Sequence, residues 1–436
     1  MTIDFWINVF KAALAFTLLV WFHELGHFIA CKLVGVRVEV FSIGFVPIIK
    51  KKIGETEYAI GAIPLGGYIK PAGGDLSADA ESTGAPDEFL SKNFWQKSFI
   101  LLAGPLMNVV LAIFVFWVVA FFIGVSEFHP DNRIGQLEKD YPALAAGLAE
   151  GDRILEINQV KTSSWEEVTK NIKKSNGKPL VFKIQRDSKE FDLTITPKKD
   201  PQYGTYRIGI KLFFDPVIGK LDKNSPAYKA GLRRFDKIIE VNGRPIKSFP
   251  MIAPSEKPLN LKIQRESKEL SFKIIPEKEG GFNYSGEYEK QLSYGLTIYF
   301  PRKKFTFVNS IKYSLKMTGV SCLLIIQALK MIAQKISMAK QLGGPILISY
   351  ILYETSKSGL ADLLSMIALL SVNLAFINLF PLIIITDGGQ ISIFAIEALR
   401  KKRFSAKSRA ILNTIGFFLV ISLAVFIIVN DIIRFL

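Results

Sequence analysis

Two histidines four residues apart flank a glutamate in His23-Glu24-Leu25-Gly26-His27. On a helix, residues i and i+4 share a face, so His23 and His27 point the same way. Two imidazoles so placed can hold one zinc ion, and Glu24 is close enough to handle the proton of a water. The chain has 3 histidines, and this motif uses two of them. The motif falls in an otherwise apolar stretch, residues 12–31, bounded by Lys11 and Lys32. Ionisable groups inside such a stretch are costly in a bilayer, so the cluster reads as functional.

Catalytic zinc takes three protein ligands and leaves a position for water. The remaining histidine, His129, stands far off beside Pro130, so the third ligand must come from elsewhere. The candidate is Asp387, at the end of the uncharged run Asn378-Leu379-Phe380-Pro381-Leu382-Ile383-Ile384-Ile385-Thr386-Asp387, before Gly388 and Gly389. Pro381 interrupts a helix ahead of it and the glycine pair breaks one behind it. Irregular backbone at membrane depth survives only where it is buried in protein or lines a wet cavity.

These residues need elements to hold them. The 436 residues suffice for two or three domains, and 49% of them are hydrophobic. Four stretches approach the length of about 20 apolar residues that a span requires: 12–31, 99–125, 360–382 and 411–429. The first lacks the basic flank and small-residue cleavage site of a removable signal peptide. Net charge is +16, and its distribution gives an orientation. The segment after the first span carries Lys32, Arg37, Lys50, Lys51, Lys52, Lys70, Lys92 and Lys97, offset by eight acids. The turn before the fourth carries Arg400, Lys401, Lys402, Arg403, Lys407 and Arg409 against Glu397. Both loops are expected on the cytoplasmic side, with the termini and 126–356 outside. The basic excess is thereby accounted for; no nucleic-acid motif is present, and no nucleic-acid partner is expected. Cys31 and Cys322, far apart and in apolar surroundings, make no disulfide framework.

The outer region repeats itself. Residues 142–160 read PALAAGLAEGDRILEINQV and residues 226–244 read PAYKAGLRRFDKIIEVNGR, an offset of 84. Each copy has a short helix start, an Ala-Gly-Leu turn, an Asp and an alternating strand. The pattern resembles PDZ domains of the circularly permuted bacterial type. Further on, Ile325, Leu329, Ile332 and Ile336 recur at helical spacing among Gln327, Lys330, Gln334 and Lys335. This suits an amphipathic helix at the membrane surface, ended at Gly343-Gly344-Pro345.

Phe22 to His27, together with Asn378, Pro381, Asp387 and Gly388, resembles the two signatures of the site-2 protease family. Ile43-Gly44-Phe45, Pro64-Leu65-Gly66-Gly67-Tyr68 and Ala103-Gly104-Pro105-Leu106-Met107-Asn108 also match, so the resemblance covers essentially the whole chain. It implies a bacterial inner-membrane zinc metalloprotease with four transmembrane helices, a membrane re-entrant β-element and two extracytoplasmic PDZ domains. Zinc would sit on His23, His27 and Asp387, with Glu24 as general base and the site nearer the cytoplasmic face. Asn373 and Asn378 would help hold substrate backbone, and Ile43, Gly44 and Phe45, in the re-entrant element, are candidate substrate-binding residues on a strand edge within 36–63 that would hold the substrate extended. Substrates would be transmembrane segments, such as anti-sigma factors already trimmed by another protease and remnant signal peptides, with the PDZ pair filtering them in the periplasm. The expected divisions are 1–125, 126–212, 213–306, 307–359 and 360–436. The sequence departs from the family in one place. Asn378 to Asp387 spans nine residues where the family has eight, and Ile383 replaces a second proline. In a continuous helix the extra residue would turn Asp387 by roughly 100°. The alternative is therefore a catalytically weak membrane scaffold with a degenerate metal site.

Overall fold

The computed structural model describes residues 3–74, 83–126, 131–201, 204–249, 255–282, 288–334, 343–381 and 384–435. His129, Leu382, Ile383, Lys335 and Ile336 lie outside them. The chain divides into two units, Met1–Val125 with Lys303–Leu436, and Ser126–Arg302.

The first unit is a helical body around α1 (Ile3–Val34), α2 (Phe94–Val118, extended by one π-type turn to Ile123) and α8 (Leu360–Leu379). Asn93 opens α2 with a capping box: its side chain accepts from the Gln96 N–H, and the Gln96 side chain accepts from the Asn93 N–H. Small residues let the helices approach. A Cβ on Gly26 would lie 2.2 Å from the Ala103 carbonyl oxygen, so the second-last residue of the histidine motif is glycine because α2 crosses there. Ser371 of α8 donates to the Asn108 carbonyl of α2 at 2.8 Å. Ala112, Phe116, Ala368 and Val372 make a buried layer between those two helices.

Between α1 and α2 lies a long antiparallel hairpin, β1 (Val38–Ile53) and β2 (Thr56–Pro71). It folds back on itself, so that Ile43 is opposite both Gly67 and Ile60. Gly44 turns at φ 79° and Gly61 would clash with the Phe45 carbonyl if it carried a Cβ, which is how the ribbon bends.

Five helical stretches are long and apolar enough to cross a membrane: Leu14–Val34, Phe94–Ile123, Phe307–Ile332, Leu360–Leu379 and Lys407–Phe435. Four correspond to the spans expected from sequence. The fifth belongs to α6 (Phe307–Gln334), read from sequence as an amphipathic surface helix; its polar residues after Ile326 gather at one end, leaving an apolar run ahead of them. Then follow α7 (Pro345–Ser358), α9 (Asp387–Arg400) and α10 (Ala406–Phe435).

The second unit carries two four-stranded sheets of the same order. In one, Val160–Lys161 pairs with Arg153–Ile157, then Leu180–Arg186, then Lys189–Ile195; in the other, Arg244–Pro245, Lys237–Val241, Leu259–Arg265 and Lys268–Ile274 take the same places. Short helices α3 (Pro142–Ala145) and α5 (Pro226–Lys229) open the two repeats, and α4 (Trp165–Lys174) lies within the first. The aspartate read in each copy is buried and paired. Arg186 holds Asp152 and Arg265 holds Asp236, each with Nε–Oδ1 at 2.7 Å, and each arginine also donates to the carbonyl of the Ala-Gly-Leu glycine, Gly147 or Gly231. Each repeat has its own core, around Phe182 and Ile184 in the first and Leu261 and Ile263 in the second.

Candidate active site

The site forms where α1, α2, α8 and the start of α9 meet. Helical spacing brings His23 and His27 together, with Nε2 atoms 3.1 Å apart and both rings buried. Asp387 joins them from the far end of the chain, its Oδ2 3.2 Å from His23 Nε2 and its Oδ1 3.4 Å from His27 Nε2. Among the described residues, these three are the group of His, Cys, Asp or Glu that could hold a metal ion.

Asp387 belongs to a new helix and is not held in the phase of α8, which carries Asn378. Helix α8 ends at Leu379, and α9 begins at Asp387 with Thr386 as extended N-cap. The intervening turn is held by Gln390 Nε2 donating to the Ile384 carbonyl at 3.0 Å and Thr386 Oγ1 to the Phe380 carbonyl at 3.2 Å. A Cβ at Gly388 would lie 2.2 Å from the Leu379 carbonyl oxygen, so the Asp-Gly pair is needed for α9 to start against the end of α8.

These donors fit zinc. Ligand atoms about 2.0–2.1 Å from a tetrahedral ion stand about 3.3 Å from one another. The observed separations of 3.1, 3.2 and 3.4 Å match. Asp387 Oδ2 is buried without a hydrogen bond of good geometry, although it is near His23. A cation among the three groups answers this convergence of acceptors.

Neighbouring groups aim the rings. His27 Nδ1 donates to the Ile100 carbonyl at 2.8 Å, which leaves the Nε2 lone pair for a metal. Asn108 Nδ2 lies 3.3 Å from His23 Nδ1, and Asn108 Oδ1 is buried with no partner. The isosteric amide orientation lets that oxygen accept from His23 Nδ1–H, which removes the orphan and again frees Nε2. Gly104 gives α2 its close approach, since a Cβ there would lie 2.4 Å from His27 Nε2 and 2.8 Å from His23 Cε1. The sequence shows Gly104 and Asn108 only as parts of a motif; their roles become visible with the distances.

The other predicted residues are distributed around this centre. Glu24, half-buried, faces the second strand: a Cβ on Gly67 would be 3.7 Å from Glu24 Cγ. Asn378 Nδ2 is 3.1 Å from His23 Nε2. Asn373 sits five residues earlier on α8, about 140° round the helix from Asn378, half-buried. Phe45 is exposed and stacks on Tyr68 with centroids 6.2 Å apart, while Ile43 is paired on both sides. Segment 66–68 of β2 therefore lies beside Glu24, and Gly67 of that segment is paired with Ile43 of β1. Among the described residues, no third strand pairs with this hairpin.

Comparison with known proteins gives the family. The model of peptidase family M50 matches residues 11–423. The chain belongs to peptidase family M50. Among similar proteins, the regulator of sigma E protease of Haemophilus influenzae is 32% identical over 444 residues, covering 97% of both chains. A putative zinc metalloprotease of Borreliella burgdorferi is 31% identical over 424 residues, covering 93% of this chain and 94% of its own. The sigma-E protease RseP of Escherichia coli K12 is 31% identical over 446 residues, covering 96% of each. A PDZ domain of an SdrC-like protein from Listeria innocua matches 19% of this chain at 28% identity, with a TM-score of 0.17. This M50 chain is an intramembrane zinc metalloprotease.

Proposed function

We propose that this M50 peptidase binds zinc through His23, His27 and Asp387 and hydrolyses peptide bonds in transmembrane segments of pre-trimmed single-span proteins. Anti-sigma-factor-like proteins and signal-peptide remnants are the substrate class we assign; relatives named regulator of sigma-E protease are in keeping with a role in sigma-factor regulation. The observation that carries the proposal is the meeting of the three ligands at 3.1–3.4 Å inside apolar helices. The weak-scaffold alternative rests on the longer Asn378-to-Asp387 spacing; the end of α8 at Leu379 and the fresh start of α9 at Asp387 speak for the peptidase reading instead.

Zinc, when bound, polarises the scissile carbonyl and acidifies a water. Glu24 accepts that water's proton and delivers it to the leaving amine. Asn378, beside His23, donates to substrate backbone, and Asn373 supports it from the same helix. Gly104 and Asn108 keep the rings in register with the carboxylate. A helical substrate hides its carbonyls in its own hydrogen bonds, so it must be drawn out. The hairpin β1–β2 offers it an extended partner, with segment 66–68 beside Glu24 and with Ile43, Gly44 and Phe45 shaping the bend.

Four crossings are the topology we assign. Helix α6 begins at the outer end of α2, where Phe305 donates its N–H to the Ala120 carbonyl. Helix α8 begins at that same end, with Ala361 packed in the cluster of Val119 and Ala120. The chain between leaves and returns on one side. Helix α7, at 14 residues, is about 21 Å long, short of the roughly 30 Å hydrocarbon core. The basic ends of α2 and α9 then face the cytoplasm and the two PDZ-like repeats the periplasm. Gly104, beside the histidines, is ten residues into α2, about 15 Å from its inner end and about 28 Å from Ile123. The active site lies nearer the cytoplasmic face.

The test is cleavage of a model single-span substrate by wild type and Glu24→Gln, with zinc measured on both. Cleavage lost in the mutant with zinc retained supports the proposal. Equal cleavage by both removes Glu24 as base, and zinc-loaded but inert wild type restores the scaffold.

A further inference from the structure

At the inner ends of α2 and α9 a cavity of about 200 Å³ opens, separate from the zinc centre. Lys92, Lys97, Lys401, Lys402 and Arg403 line it, with Phe394 and Glu397 in its wall. Glu397 does not balance these cations. It is buried and already engaged by Arg409, whose Nη2 lies 2.8 Å from both carboxylate oxygens, and by the Phe404 N–H at 2.7 Å. Lys97 is 6% exposed, its Nζ 4.8 Å from the Phe394 ring centroid, and among the described residues no carboxylate lies within ion-pair distance of it. A lysine in the first turn of a helix also meets the positive end of the helix dipole. The nearest counter-charge, Glu397, is shared with Arg409, so this nearly buried cation sits in an excess of positive charge.

The surroundings say what supplies it. Trp95, one residue into α2, is 77% exposed, and Leu399, in the last turn of α9, is 85% exposed. Both are apolar, and each follows directly in sequence a residue that lines the cavity, Phe94 or Ala398, at the inner ends of the helices. An indole at such a level marks the headgroup region. An occupant with an anionic head and apolar tails meets both surfaces, whereas a free anion meets only one.

We propose that this cavity binds the phosphate headgroup of an anionic phospholipid of the inner leaflet, with Lys97 as its buried contact and Lys92, Lys401, Lys402 and Arg403 around it. Bound there, the lipid joins the start of α2, which carries Gly104 and Asn108, to the end of α9, which starts at Asp387. The proposal rests on the membrane orientation given above but not on the protease chemistry, and its readout is independent of cleavage.

The full-length protein in detergent is mixed with equal amounts of phosphatidylglycerol and phosphatidylcholine of the same acyl chains, and native mass spectrometry counts retained lipids. Wild type is expected to keep one phosphatidylglycerol in preference to phosphatidylcholine. Lys97→Gln, and separately the surface variant Lys401→Gln/Lys402→Gln, should each lose that preference by about fivefold or more per charge removed, with phosphatidylcholine retention unchanged. The surface variant keeps the test valid where loss of Lys97 disturbs folding. No preference in wild type, or unchanged preference in both variants, overturns the proposal. Displacement of the lipid by inorganic phosphate at millimolar concentration also overturns it, since the site would then be one for free phosphate.

Discussion

Gly104→Ala is the most demanding test of the site as built. The added Cβ would lie 2.4 Å from His27 Nε2, 2.5 Å from His27 Cε1 and 2.8 Å from His23 Cε1, whereas ordinary contact begins near 3.4 Å. Something must move by about 1 Å in a packed interior, which costs about 1–3 kcal/mol of stability. His27 cannot easily yield, because its ring is buried and its Nδ1 is fixed by the Ile100 carbonyl. Zinc sites tolerate ligand displacements of only about 0.2 Å. A misplacement of about 1 Å at a reacting centre costs on the order of 100-fold in rate. The variant should therefore fold, hold well under one zinc per chain and cleave a single-span substrate on the order of 100-fold more slowly. Zinc content, thermal unfolding in detergent and cleavage are measured together, beside Gly319→Ala in α6, where a Cβ meets nothing within 4 Å. Wild-type zinc content and cleavage in Gly104→Ala would refute the close approach of α2 to the histidines.

Other expectations follow from single contacts. Asn108→Ala removes the group beside His23 Nδ1 and should weaken zinc binding by about 10–100-fold in a competitive chelator titration, with the fold kept. Asp387→Ala should release zinc at chelator concentrations that wild type survives; equal retention would remove it as a ligand. Asp431, buried on α10, accepts from the backbone N–H of Gly344, Ile346 and Leu347 at 3.0–3.1 Å, so Asp431→Ala leaves the start of α7 uncapped. That should cost about 1–3 kcal/mol, read as a lower unfolding temperature. Arg265→Met strands the Asp236 carboxylate in the second repeat and should destabilise it by about 3–5 kcal/mol, read as faster proteolysis within 213–302 of the full chain.

Much of this protein is local in origin and was legible from sequence. The spacing of His23 and His27 fixes their common face because a helix repeats every 3.6 residues. The outer repeat announces itself through glycine turns and an alternating strand, and the Asp152 and Asp236 it contains prove to be the buried partners of Arg186 and Arg265. Spans declare themselves by length and apolarity, although these properties alone also admit α6, which starts where α2 ends and α8 begins.

What needed the tertiary structure is whatever joins residues distant in the chain. Asp387 reaches the histidines across 360 residues because α8 stops at Leu379 and α9 starts afresh at Asp387, so the phase of α8 does not govern its direction. A one-residue change in spacing then decides nothing, a result that counting along the sequence could not give. Gly66–Tyr68 comes to lie beside Glu24, and Ile43 between Gly67 and Ile60, because the hairpin folds back on itself. Gly26, Gly104 and Gly388 are glycines for the same reason: each stands where another backbone or an imidazole comes within 2.2–2.4 Å of its missing Cβ. Composition fixes which residues can do the chemistry; the close approach of helices, permitted only by those absent side chains, fixes where they do it.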